Sequence, residues 1–135
     1  MKKLNCILLI DDDEATNYYN QIIIGKLNCT NKIVVKESGF EALEYLKSKE
    51  DDGNYPCPDL IFLDINMPAM NGWEFLEQYK KLEATQRGRI VVVMLTTSLN
   101  PADQEMASRL NEIQDFVNKP LGIELVQNIL SKHFK

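Results

Sequence analysis

The sequence predicts an α/β domain built on a doubly wound, five-stranded parallel sheet with five helices. Three observations carry this. Five short apolar runs alternate with five stretches of helical periodicity. Most of the runs are unbroken rather than alternating, as expected of parallel strands covered on both faces. Acids, a hydroxyl and a lysine fall just beyond four of the runs, at the edge where such sheets gather ligands and chemistry.

The strand candidates are Ile7–Ile10, Ile33–Val35, Leu60–Leu63, Ile90–Leu95 and Phe116–Val117. Between the first two, Ala15, Tyr18, Tyr19, Ile22, Ile23 and Leu27 keep helical spacing and are the expected inner face of a first helix. Ala42, Leu43 and Leu46 mark a second helix, and Trp73, Leu76 and Tyr79 a third. Met106 with Leu110 marks a fourth, and Leu125 with Ile129 a fifth. Asp12 or Asp13 suits the N-cap of the first helix and Ser38 that of the second. Pro101 suits the first turn of the fourth, where no backbone donor is lost. Residues 47–58 carry helix-end and turn signals and few apolar residues, and read as an extension of the second helix that passes into a long, mobile surface loop. A βα unit repeated five times favours right-handed crossovers. The strand ends then share one edge, so Asp12, Asp64, Thr96 and Lys119 become neighbours despite their separation in sequence.

At 135 residues the chain is expected to be one domain. Its last apolar pair, Ile129-Leu130, leaves too little sequence after it for an output module. A hydrophobic content of 44% and a charged content of 26% are ordinary for a water-soluble protein. The net charge of −5 argues against direct DNA binding. Cys6, Cys29 and Cys57 are odd in number and lack metal-ligand spacing, which fits reduced thiols in a cytoplasm. The apolar stretch after Asn5 is too short for a signal peptide core or a membrane span.

Clustered carboxylates repel, by about 4 kcal/mol per pair at 4 Å with an effective dielectric near 20. A hard cation relieves that repulsion, and Mg²⁺ needs only one or two carboxylates besides phosphate oxygens and water. Asp12 and Asp64 can supply them, with Asp11 holding a metal-bound water and Asp13 left to cap the helix. Asp64 then stays ionised and nucleophilic. Lys119 and Thr96 offer an ammonium and a hydroxyl to the charge of a transferring phosphoryl group.

The segments LLIDDDE, FLDINMPAMNG, VVMLTTS and DFVNKP resemble the four signatures of response-regulator receiver domains, in order and over essentially the whole chain. The closest likeness is to single-domain regulators of the chemotaxis type. The resemblance implies a flavodoxin-like strand order 2-1-3-4-5 and one receiver domain over 1–135 with no output domain. It implies that Asp64 accepts a phosphoryl group from a sensor histidine kinase or a histidine phosphotransfer protein. Asp11 and Asp12 would form the acidic pair, and the backbone carbonyl of Asn66 would complete a Mg²⁺ site with Asp64. Thr96 and Phe116 match the switch pair, and Lys119 the lysine that pairs with phosphoryl oxygens, before a peptide bond to Pro120 that is often cis in the family. Catalysis would be limited to Mg²⁺-dependent self-phosphorylation from a phosphohistidine donor and self-dephosphorylation.

The implied downstream target is a protein bound through the fourth helix, fifth strand and fifth helix, with phosphorylation-dependent dimerisation left open. Thr97 stands where the family usually has a smaller residue and would narrow access to Asp64, while Asn66 and Ser98 occupy positions that tune the lifetime of the phosphorylated state. Pro68 and Gly72 are expected to shape the loop after Asp64. His133, the single histidine, is expected on the surface. The rival reading is a Mg²⁺-dependent aspartyl-phosphate phosphatase acting on a small molecule. Its acid-x-acid signature needs an acid where Asn66 stands, and the chain has no cap domain to enclose a substrate.

Overall fold

A computed structural model describes residues 3–87, 90–97 and 100–134. The strands are β1 (Ile7–Ile10), β2 (Ile33–Lys36), β3 (Leu60–Asp64), β4 (Val91–Thr96) and β5 (Ile113–Asn118). The helices are α1 (Glu14–Leu27), α2 (Gly39–Lys47), α3 (Gly72–Tyr79), α4 (Ala84–Arg87), α5 (Pro101–Arg109) and α6 (Ile123–His133). All strand pairs are parallel and the order is β2-β1-β3-β4-β5, as expected.

One helix more is present than the periodicity predicts. The single turn α4 buries none of its residues, so no apolar spacing could reveal it. The expected fourth and fifth helices are therefore α5 and α6.

Alternate residues of each unbroken apolar strand serve different layers. Leu8, Ile10, Ile61, Leu63, Val92 and Met94 pack in one core with Leu43, Leu46, Phe75 and Leu76 of α2 and α3. Ile7, Leu9, Leu60, Phe62, Val93 and Leu95 pack in another with Ile24 of α1 and Val126, Ile129 and Leu130 of α6. Burying a side chain of this size contributes roughly 1.5–3 kcal/mol, and here both faces of the sheet contribute. Among the described residues no helix is long and apolar enough to cross a membrane. The three cysteines are free thiols.

The expected inner face of α1 holds at Ile23, which is buried, and at Leu27, which packs on the core, but not at its other positions. Tyr18 is 67% exposed, Tyr19 42% and Ile22 41%, and Ala15 is exposed too. The buried residues are Asn17, Asn20, Ile23 and Ile24. The phase of the helix follows a polar demand at its start, because the Asn17 amide donates to the main-chain carbonyl of Asp11 at 2.8 Å. Met106 is likewise exposed rather than inward. Ala107 is the buried residue of α5, and Leu110 follows as its cap while packing on the core.

Strand β5 reaches further back than its apolar pair predicts, through a bulge. Val92 pairs with Ile113 and Val93 with Asp115, so Gln114 is the extra residue. Its side-chain oxygen accepts from the Val92 N–H at 2.7 Å, which replaces the ladder bond the bulge removes. The extra residue also resets the alternation. Phe116 comes to lie opposite Met94 and packs on the α2–α3 core, while Asp115 meets Lys132 and His133 of α6 at 3.3 and 3.5 Å. His133 is thus half-buried against Asp115, not a free surface residue.

Candidate functional site

Register brings the acids together. Ile10 lies opposite Leu63 on adjacent central strands, so Asp11 and Asp64 stand side by side where those strands end. Both are buried, Asp11 at 3% exposure and Asp64 at 5%, whereas Asp12 is exposed. Carboxylate oxygens of Asp11, Asp12 and Asp64 all lie within 4.8 Å of one another. Asp13 stands apart as the N-cap of α1. Its carboxylate accepts from the Thr16 hydroxyl and main-chain N–H, and the hydroxyl bond holds its pKa below the ordinary value.

Lys119 enters this cluster from the far side of the sheet. Its main-chain N–H donates to the Thr96 carbonyl at 2.7 Å, which ties the ends of β4 and β5. Its ammonium lies 2.6 Å from Asp11 Oδ2 and 3.2 Å from Asp64 Oδ1. The following bond to Pro120 is cis. Burial opposes the charge on Lys119, but the hydrogen bond to Asp11 and the charges of both acids outweigh it and raise its pKa. For Asp64 the balance runs the other way. Burial and the neighbouring Asp11 charge push its carboxyl up, against Lys119 and a main-chain N–H of Asn66.

Thr96 is buried at the end of β4. It shares a face of that strand with Met94, and Phe116 lies opposite Met94, so hydroxyl and ring are diagonal neighbours on one face. Phe116 also lines a groove against Gln104, Ala107 and Ser108 of α5. Thr97 is exposed and lines a second groove with Tyr19, Lys119, Pro120 and Leu121. Ser98 lies outside the described residues.

The loop after Asp64 is folded tightly. The Gly72 N–H donates to the Ile65 carbonyl at 2.7 Å, and Ala69 adopts a left-handed φ of 67°. A Cβ on Gly72 would meet the Asp64 carbonyl oxygen at 2.8 Å and Ile65 Cα at 3.0 Å, so only glycine allows α3 this close to the acceptor strand. Asn71 and Glu74 form a reciprocal capping box at the start of α3. Pro68 and Gly72 shape the loop as expected.

These residues fit a divalent cation. The donors are hard oxygens, the preference of Mg²⁺ and similar ions. Three carboxylates against one ammonium leave a formal charge of −2 in the cluster, which a divalent cation would balance.

The inward-facing asparagines were missed by reading sequence for charge and apolar spacing. Asn17 and Asn20 share the phase of Ile24 along α1, and that common spacing is the one signal of their burial.

The comparisons agree with this geometry. The response regulator receiver domain family matches residues 7–131. A crystal structure of a two-component response regulator from Cytophaga hutchinsonii superposes with a TM-score of 0.86 at 33% identity, over 97% of each chain. Response regulator Rcp1 of Synechocystis is 33% identical over 97 residues, which is 72% of this chain and 65% of that protein. A Mn²⁺-bound crystal form of Rcp1 superposes with a TM-score of 0.74 at 30% identity, over 94% of this chain and 92% of that one. A probable cyclic di-GMP phosphodiesterase of Vibrio cholerae is 34% identical over 96% of this chain, yet the match spans only 27% of that larger protein. The chain belongs to the response regulator receiver domain family and so to two-component signalling.

Proposed function

We propose that this receiver domain accepts a phosphoryl group on Asp64 and changes its protein partners in response. The observation that carries the reading is Lys119, whose ammonium bridges Asp11 and Asp64 in a cluster of three carboxylates. In the transfer, a carboxylate oxygen of Asp64 attacks the phosphorus of a phosphohistidine on a sensor kinase or phosphotransfer protein. The P–O bond forms as the P–N bond breaks, and the imidazole nitrogen keeps the electron pair and takes a proton from water.

Asp11, Asp12, Asp64 and the main-chain carbonyl of Asn66 would hold Mg²⁺. The cation would supply charge compensation for the phosphoryl oxygens. Rcp1, which has been crystallised with Mn²⁺, lends support to a divalent ion at such a site. Lys119 neutralises a phosphoryl oxygen after transfer. The Thr96 hydroxyl turns towards the new acceptor oxygens, which carry roughly −1.5 to −2 charge. Phe116 follows into the space beside it. The face of α5, β5 and α6 is then the surface whose partner preference changes, a reading supported for α5 and β5 by the groove that Phe116 lines. That partner is a protein or a second copy of this chain, and the site of action is the cytoplasm.

Intact-mass spectrometry after incubation with Mg²⁺ and acetyl phosphate tests the reading. One added phosphate is expected on the wild type and none on Asp64→Ala. An unmodified wild type, or an adduct that persists in Asp64→Ala, refutes it.

A further inference from the structure

We propose that Asn17 is a positioning residue of the cation site, whose side-chain amide fixes the main chain of Asp11 and thereby the Asp11 carboxylate. The inference rests on the reading of Asp11, Asp12 and Asp64 as cation ligands.

Asn17 lies in the second turn of α1 and is 3% exposed. Its Nδ2 donates to the Asp11 carbonyl at 2.8 Å. The Asp11 main-chain N–H donates to the Lys36 carbonyl at 3.2 Å, and its carboxylate is held where Oδ1 accepts from the Asp13 N–H at 2.9 Å and Oδ2 meets Lys119 at 2.6 Å. Both carboxylate contacts use the oxygens that face the cluster, and both must adjust when a cation or phosphoryl group arrives. The bond from Asn17 uses neither. It fixes Asp11 from behind, independently of what the carboxylate is doing.

The same side chain carries an unsatisfied atom. Asn17 Oδ1 is buried with no hydrogen-bond partner. Turning the amide over does not help, because Oδ1 would then oppose the Asp11 carbonyl, acceptor against acceptor. An apolar residue on this inward face would avoid burying an orphaned oxygen. A buried amide kept despite that cost points to the one bond it makes. Without it, the Asp11 main chain keeps its N–H bond to Lys36 but loses the one on its carbonyl, which faces α1, and the cation must order that peptide as it binds.

The test compares Asn17→Ala, Asn17→Leu and Asn20→Ala in the full chain. Mg²⁺ affinity is measured by isothermal titration calorimetry, and phosphorylation from acetyl phosphate is followed across a Mg²⁺ series. Asn20 is the control, since it is equally buried on the same helix face but does not hydrogen-bond Asp11. Both Asn17 variants are expected to bind Mg²⁺ about tenfold more weakly, with the phosphorylation rate at saturating Mg²⁺ close to wild type. Asn20→Ala is expected to stay within twofold of wild type in Mg²⁺ affinity. Wild-type affinity in a folded Asn17 variant overturns the proposal. So does an equal loss in Asn20→Ala, which would assign the effect to helix packing. A wild type that binds no Mg²⁺ would instead remove the underlying reading of the acids.

Discussion

The surroundings of Asp64 disfavour the charge on its carboxylate. Burial and the adjacent Asp11 charge raise its folded pKa above the ordinary carboxyl value. A carboxyl raised on folding contributes stability below its unfolded pKa and loses it as pH climbs through the folded one. At pH 7 without metal, the ionised Asp64 is therefore a net cost, even with Lys119 at 3.2 Å. Asp64→Asn should then raise Tm at pH 7 in EDTA by roughly 3 °C, a shift on the scale of a modest stability gain in a domain of this size. The advantage should shrink as pH falls through the raised carboxyl pKa, because the native side chain becomes neutral as well. Thermal scans of both proteins from pH 4 to 8 check this, and a variant less stable than wild type at pH 7 would contradict it.

Individual elements divide by how plainly the sequence announced them. Strands β1 and β3 are unbroken apolar runs, and their bounds differ from expectation by no more than one residue. The bulge in β5 was not legible, because Ile113, Gln114 and Asp115 carry no alternation that separates a bulge from a loop. It is nevertheless energetic. Gln114→Ala leaves the N–H of Val92, a residue with no exposed surface, without its 2.7 Å acceptor. A cost of about 1–3 kcal/mol is expected from chemical denaturation, as for other orphaned buried donors. Helix α1 misled in the opposite sense, since its asparagines turn inward and its tyrosines outward. Of the two exposed tyrosines, Tyr19 lines the groove that holds Lys119, and under the proposed function a protein phosphodonor approaches there. Tyr19→Glu should alter stability by less than about 0.5 kcal/mol, as exposed substitutions do. It should slow phosphotransfer from a protein phosphohistidine at least tenfold while phosphorylation by acetyl phosphate is unchanged. Equal effects on both donors would remove α1 from the docking surface.

For the molecule as a whole, a parallel sheet converts sequence separation into proximity, and that is why most of the candidate site could be read in advance. Asp11, Asp64, Thr96 and Lys119 each follow or end a separate strand, and a common strand direction alone suffices to bring them to one edge. Side-chain bonds such as that from Asn17 to Asp11 depend on helix phase to within a fraction of a turn, which apolar spacing in α1 did not fix. The same topology makes the site a clamp on the fold. A cation bound by Asp11, Asp12 and Asp64 joins the ends of β1 and β3, the adjacent central strands, and an unfolded chain cannot offer that arrangement. Binding to the native state alone stabilises by about 2.7 kcal/mol when the ligand is at 100 times its Kd. Saturating MgCl₂ should therefore raise Tm by roughly 8 °C over EDTA. Asp12→Asn removes an exposed ligand and one negative charge of the acid cluster, so its Tm in EDTA should be no lower than wild type while most of the Mg²⁺-induced rise disappears. NaCl at matched ionic strength separates site binding from screening, and a rise of equal size in NaCl would show that no specific cation site exists.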